Sequence, residues 1–325
     1  MTQRFWYHLV LCAALLTGVT VFIRLSGYTP PENPGAPVAD IPGRAVLVYI
    51  ATLGFLYAFA RLALRVAGSD RTTGLLCVYS VSLFVPFVAS ISGSPTHALA
   101  LLLVSAAVLE IVDIDLARAN AARSGLFMSV ACIIEPACAV PAAALIPVAV
   151  AVARGRWTLP LRYVLAVAVP WGLYHVLRGS GGASESAASV RHAITAWDGR
   201  AAAAALASEA SRIRLSWEGD IHSTYAGFAL AGFLAGTVRR LGPSRRGVLS
   251  VAWLLAVVTF SAALAPAGPA ALYRPLGYAL LLLLAGAGLA ALAAMNPLHA
   301  GRRRMIPVGV FFLLPQVVVW VKLLV

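Results

Sequence analysis

Charged side chains are scarce in this sequence. Of 325 residues only 11% are Asp, Glu, Lys or Arg, and just 12 are acidic. Soluble domains are about one quarter charged, so an ordinary water-facing surface is excluded. Lysine is almost missing: Lys322 is the one exception among 25 basic residues, the rest being arginine. Cysteine is rare too. Cys12, Cys77, Cys132 and Cys138 all fall in apolar runs, and the Cys132/Cys138 spacing matches neither a zinc nor a redox motif. They read as small buried hydrophobes. A P-loop, a dinucleotide-binding glycine pattern, a HExxH zinc site and a serine nucleophile elbow are all missing. No internal repeat is visible, which counts against many transporter folds. No cleavable signal is legible, so the first apolar run is expected to remain as an anchor.

What is abundant is apolar side chain. The sequence is 61% hydrophobic, with a mean hydropathy of +0.87. Runs of membrane-spanning length recur along it, so the bilayer is its expected solvent. Backbone polar groups in lipid must be satisfied internally, and runs this long imply helices rather than barrel strands. The expected fold class is all-α, a multi-pass protein of the inner (plasma) membrane with about eleven transmembrane helices in a single domain over 1–325. The spans fall roughly at 5–24, 44–66, 74–92, 96–112, 123–137, 138–153, 161–178, 222–238, 247–265, 272–294 and 305–325. The stretch 123–153 also reads as one broken hairpin.

The net charge of +13 is a topology signal here rather than a nucleic-acid footprint. With a cytoplasmic N-terminus, the inner connections carry Arg61, Arg65 and Arg71; Arg118 and Arg123; Arg154, Arg156 and Arg162; Arg239, Arg240, Arg245 and Arg246; and Arg302 to Arg304. The outer connections carry most of the acids. That alternation follows the positive-inside rule and would leave the C-terminus outside.

Two outer loops stand out. Leu25–Gly43 holds Glu32 and Asp40 among five prolines, which exclude a regular helix. The long connection 179–221 opens with the flexible GSGGASES. It continues into an alanine-rich run of high helix propensity, expected as an interfacial helix with arginines toward lipid phosphates.

The order of features in Ser94–Pro147 is distinctive. A small-polar start at Ser94-Pro95 leads into an apolar run, then a basic turn with Arg118 and Arg123. Ser124-Gly125-Leu126 opens a second run, Glu135-Pro136 breaks it, and a third run follows. Later, Tyr273-Arg274-Pro275 opens an apolar run, and Leu159–Trp171 joins a basic turn to a Pro-Trp exit. This layout resembles the GT-C superfamily of polytopic glycosyltransferases, which use sugars linked to lipid phosphates, the mannosyltransferases among them.

The resemblance implies a polyprenyl-phosphate-sugar donor, a lipid or cell-envelope acceptor, and chemistry on the outer face. An acid of the first outer loop would act as base, falling here on Asp40 or Glu32. A carboxylate beside the acceptor hydroxyl can take its proton as the sugar transfers. Arg274, His222 and Tyr273 would hold the donor phosphate, an arginine fork suiting paired hydrogen bonds to its oxygens. Glu135, Glu218 and Asp220 would shape the pocket. The cluster Glu218, Asp220 and His222 has ligand types that suit a divalent cation, and equally suits a polar helix start. For Asp40 the competing reading is a loop acid, for Arg274 a snorkelling interfacial arginine, and for Glu135 a solvated residue at a helix break.

The sequence also departs from the family. The first outer loop is short and lacks an adjacent acidic pair, Pro95 stands where an acid is usual, and Glu135 replaces a basic residue. An inactive GT-C-fold subunit, binding lipid or a partner in an envelope-assembly complex, therefore stands beside the transferase. A small-molecule or lipid transporter is a third reading, disfavoured because the ionisable groups cluster at span ends.

Overall fold

The computed structural model describes residues 3–27, 42–66, 71–83, 88–89, 91, 95–112, 120–135, 138–153, 157–178, 317 and 320–321. Among the described residues the secondary structure is wholly helical. The helices are α1 (Gln3–Ser26), α2 (Pro42–Val66), α3 (Arg71–Leu83), α4 (Pro95–Val112), α5 (Ala121–Ile134), α6 (Ala139–Ala153) and α7 (Thr158–Arg178).

Local chemistry sets where they begin and end. Pro42 and Pro95 occupy first helical positions, where the missing N–H has no intrahelical partner to lose. Asn120 caps α5, its side-chain oxygen accepting from the Arg123 backbone N–H at 3.1 Å. Past the end of α1, Gly27 takes φ +65°, the left-handed cap conformation that glycine adopts without a Cβ clash. Glu135 ends α5 with φ −137° and ψ 100°, because the ring of Pro136 drives the preceding residue out of the helical region.

The sequence boundaries agree closely for most of these helices. Within the expected span 74–92, residues 74–83, 88–89 and 91 are described, and all are helical. The stretch 123–153 is broken at Glu135 into α5 and α6.

Two helical segments, Phe5–Ser26 and Val46–Leu64, are long and apolar enough to cross a membrane. Helix α1 is the more telling of the two. It is apolar all round, yet only 22% of its hydrophobic window is buried, and Trp6, Tyr7, Val10, Leu11, Val21 and Leu25 are exposed. A helix of this kind in a soluble protein lies within the core. Here the exposed apolar face suits lipid.

The chain divides into two compact units, with the boundary after Ala98 in the first turn of α4. The first contains α1, α2, α3 and Trp320. Paired contacts give its topology. Thr17 meets Tyr49 through their hydroxyls at 2.9 Å, and Trp6 stacks on Tyr57, so α1 and α2 are antiparallel. The Arg61 guanidinium lies over the same Tyr57 ring. Phe55 and Phe59 fill the buried face of α2. Trp320 contacts Phe22 at 4.7 Å between ring centroids, and its indole N–H donates to the Leu83 carbonyl at 3.2 Å.

The second unit contains α5, α6, α7 and nearly all of α4. Ser124 donates to the Ala107 carbonyl at 2.8 Å, and Arg123 pairs with Glu110 at 3.6 Å. These contacts make α4 and α5 antiparallel. Helix α5 packs closely on α7, with Gly125 against Tyr163 and Ala166, and Ala121, four residues before it, is buried too. Small residues at four-residue spacing let two backbones approach, which is how helices associate where lipid removes the hydrophobic drive. Tyr163 of α7 is fully buried and donates to the Ala142 carbonyl of α6 at 2.9 Å, tying α5, α6 and α7 into one packed group.

Candidate functional site

Polar side chains inside apolar helices are costly unless partnered, so they are the natural places to look for function in a membrane protein. In the first unit, His8 Nδ1 lies 2.7 Å from the Tyr79 hydroxyl, joining α1 to α3. The rings meet edge to face at 6.0 Å. Thr17, Thr20, Thr52 and Ser82 hydroxyls donate to carbonyls one turn earlier in their own helices. These groups are satisfied locally and leave nothing aimed at a ligand.

The second unit differs. Ser129 Oγ, Trp171 Nε1 and His175 Nδ1 are inaccessible to solvent and have no hydrogen-bond partner among the described residues. Ser129 is wholly buried on α5. Trp171 and His175 stand one turn apart on α7, their rings edge-on with centroids 5.2 Å apart and an interplanar angle of 79°. Tyr174 packs edge-on against His175 from the adjacent position. Pro170 precedes the cluster within the helix. Together they form an aromatic and imidazole group near the end of α7.

Of the residues singled out from sequence, Glu135 is described. It is half-buried at the turn between α5 and α6. Its N–H donates to the Ala131 carbonyl at 2.8 Å, and its own carbonyl accepts from Cys138 N at 2.9 Å. Asp40, Glu32, Arg274, Tyr273, His222, Glu218 and Asp220 lie outside the described residues, as does the loop 179–221. Glu110 pairs with Arg123 at a partly exposed position, where such pairs contribute little. Among the described residues no three His, Cys, Asp or Glu side chains gather as a metal site requires.

His8 and His175 are not prominent in the sequence, which directs attention to span ends. The signal that finds them is an imidazole inside an apolar run, strengthened for His175 by Trp171 four residues earlier.

No family model, no curated protein and no solved structure matches this chain.

Proposed function

We propose that this chain is a multi-pass GT-C-like glycosyltransferase of the plasma membrane, moving a sugar from a polyprenyl-phosphate donor to a lipid or envelope acceptor at the outer face. The observation that carries the reading is the feature order of Ser94–Pro147: a Ser-Pro start, a basic turn, Ser-Gly-Leu and an X-Pro break. The helices α4, α5 and α6 fall on that order, with Ser124 and Gly125 in the first turns of α5 and Glu135 at its end. About eleven spans with a cytoplasmic N-terminus belong to the same reading. Asp40 serves as base toward the acceptor hydroxyl, and Arg274 with His222 and Tyr273 holds the donor phosphate. Charge neutralisation by an arginine fork stabilises the leaving phosphate.

Replacing Asp40 by Asn removes the base and leaves the shape of the side chain. Transfer of labelled sugar from polyprenyl-phosphate donors in membranes should fall by at least about a hundredfold, as general-base losses do, with folded protein retained. Full transfer in the variant would sink the assignment.

The short first loop and its lack of an acidic pair favour one second reading, an inactive subunit of the same fold that binds lipid or a partner in envelope assembly. It predicts a stoichiometric protein partner on purification and no transfer by the wild type.

A further inference from the structure

We propose that Trp171 and His175 of α7 form a site for the phosphate group of a membrane lipid. The proposal rests on the reading of this chain as a multi-pass membrane protein and not on its being a transferase.

The two nitrogens are orphaned. Trp171 Nε1 and His175 Nδ1 are shielded from solvent and have no hydrogen-bond partner among the described residues, although their rings touch. A single buried polar group left unpaired costs about 1–3 kcal/mol, and the penalty is larger in hydrocarbon. Two on one helical face therefore point to a bound partner that supplies both bonds.

Their chemistry defines that partner. An indole N–H only donates, so the partner must accept. An imidazole donates from Nδ1 in one neutral tautomer and when protonated. A group with several acceptor oxygens and no obligatory donor meets both nitrogens together, and a phosphate is such a group. Its negative charge strengthens each bond.

Position along the helix agrees. At 1.5 Å per residue, Trp171 and His175 stand roughly 20 and 26 Å from Thr158. The arginines at 154, 156 and 162 mark the start of α7 as its cytoplasmic end. With a hydrocarbon core of about 30 Å, the pair lies in its outer third, His175 about 4 Å short of the opposite headgroup layer. Nothing stands within 4 Å of the place a Cβ would take on Gly172, so the helix is open beside the pair. Both rings belong to half-buried residues.

A polyprenyl phosphate and a bulk anionic phospholipid share this chemistry, and the test separates them. The detergent-solubilised full chain is titrated in native mass spectrometry with a polyprenyl phosphate, with the matching polyprenol, and with phosphatidylglycerol. Trp171→Phe and His175→Phe keep the rings and delete the nitrogens, while His175→Asn keeps an amide donor near the place of Nδ1. Monodisperse elution and unchanged helical circular dichroism establish folding for each variant.

The expected result is tighter binding of the phosphate than of the alcohol by wild type, a loss of about tenfold in either Phe variant, and rescue by Asn at 175. Loss confined to polyprenyl phosphate supports the site with an isoprenoid lipid as occupant. An equal loss of phosphatidylglycerol supports it with a bulk phospholipid instead. Equal retention of polyprenol and polyprenyl phosphate, or undiminished binding in both Phe variants, would overturn it. Transfer abolished by Asp40→Asn, with lipid binding intact in His175→Phe, would keep the transferase and remove this site. Phosphate binding lost in His175→Phe, with no transfer by wild type, would do the reverse.

Discussion

Gly125 of α5 lies so close to Ala166 of α7 that a Cβ built on the glycine would stand 2.7 Å from the alanine Cβ and 2.6 Å from the Tyr163 carbonyl oxygen. No side chain fits there without parting the helices. Pro170, four residues beyond Ala166, withdraws the N–H that would otherwise bond the Ala166 carbonyl. The contact is therefore made where α7 is locally freed from its own hydrogen-bond ladder, and α5 supplies the smallest residue available.

Gly125→Ala should lower the stability of the solubilised protein by about 1–3 kcal/mol, the usual cost of overpacking, and Gly125→Leu should prevent recovery of monodisperse protein. Gly172→Ala is the control. Its Cβ meets nothing within 4 Å, so the change should be neutral or stabilising by up to about 1 kcal/mol through helix propensity. Thermal unfolding followed by size-exclusion fluorescence separates the two positions. Equal midpoints for Gly125→Ala and Gly172→Ala would contradict the close approach.

Tyr163 supports the same packing from the other side. Its ring is buried and its hydroxyl donates to Ala142 on α6. Tyr163→Phe removes one interhelical bond and keeps the ring, an expected loss of about 1 kcal/mol. Tyr163→Ala also opens a cavity and should lose about 3–5 kcal/mol. Reversible unfolding in mixed detergent micelles measures both. A Phe variant as damaged as the Ala variant would mean that the hydroxyl, not the ring, holds α6 and α7 together.

Much of this architecture is legible in the sequence because its signals are local. Pro42, Pro95 and the Glu135-Pro136 step set helix boundaries through φ restriction and a missing donor, and these act whatever surrounds them. Hydropathy locates α1 and α2 for the same reason. Gly125 stands in the sequence only as part of Ser-Gly-Leu, and its role depends on α7, some forty residues on. The spacing of Trp171 and His175 is legible, but whether their buried nitrogens have a partner is a property of the packing, and no spacing encodes it. The expected base and donor-phosphate residues lie outside the described residues, so for them the sequence remains the whole argument.

His8 and Tyr79 offer a test of polar pairing between α1 and α3. The imidazole nitrogen and hydroxyl are 2.7 Å apart, and removing either leaves the other unmatched. Single changes His8→Phe and Tyr79→Phe, with the double variant, form a cycle in which the coupling should be about 0.6–1.7 kcal/mol, the range found for hydrogen bonds between helices in membranes. A coupling indistinguishable from zero would show that the pair contributes packing alone.

Thiol labelling tests the orientation, and the burial of the native cysteines makes it clean. Cys12, Cys77, Cys132 and Cys138 are each 2% exposed or less, so wild-type protein in intact cells should take up no membrane-impermeant maleimide before denaturation. Leu25 at the end of α1 is 83% exposed and Trp157 before α7 is 73% exposed, and each is a site for a single added cysteine. The positive-inside pattern places the first at the outer face and the second at the cytoplasmic face. Leu25→Cys should therefore label in intact cells, and Trp157→Cys only after permeabilisation. The opposite pattern would invert the chain, carry the Trp171–His175 end of α7 to the cytoplasmic leaflet, and require the lipid phosphate to come from that side. Labelling of both positions in intact cells would put them on one side of the membrane, which needs an even number of crossings between them and contradicts the five spans expected at 44–66, 74–92, 96–112, 123–137 and 138–153.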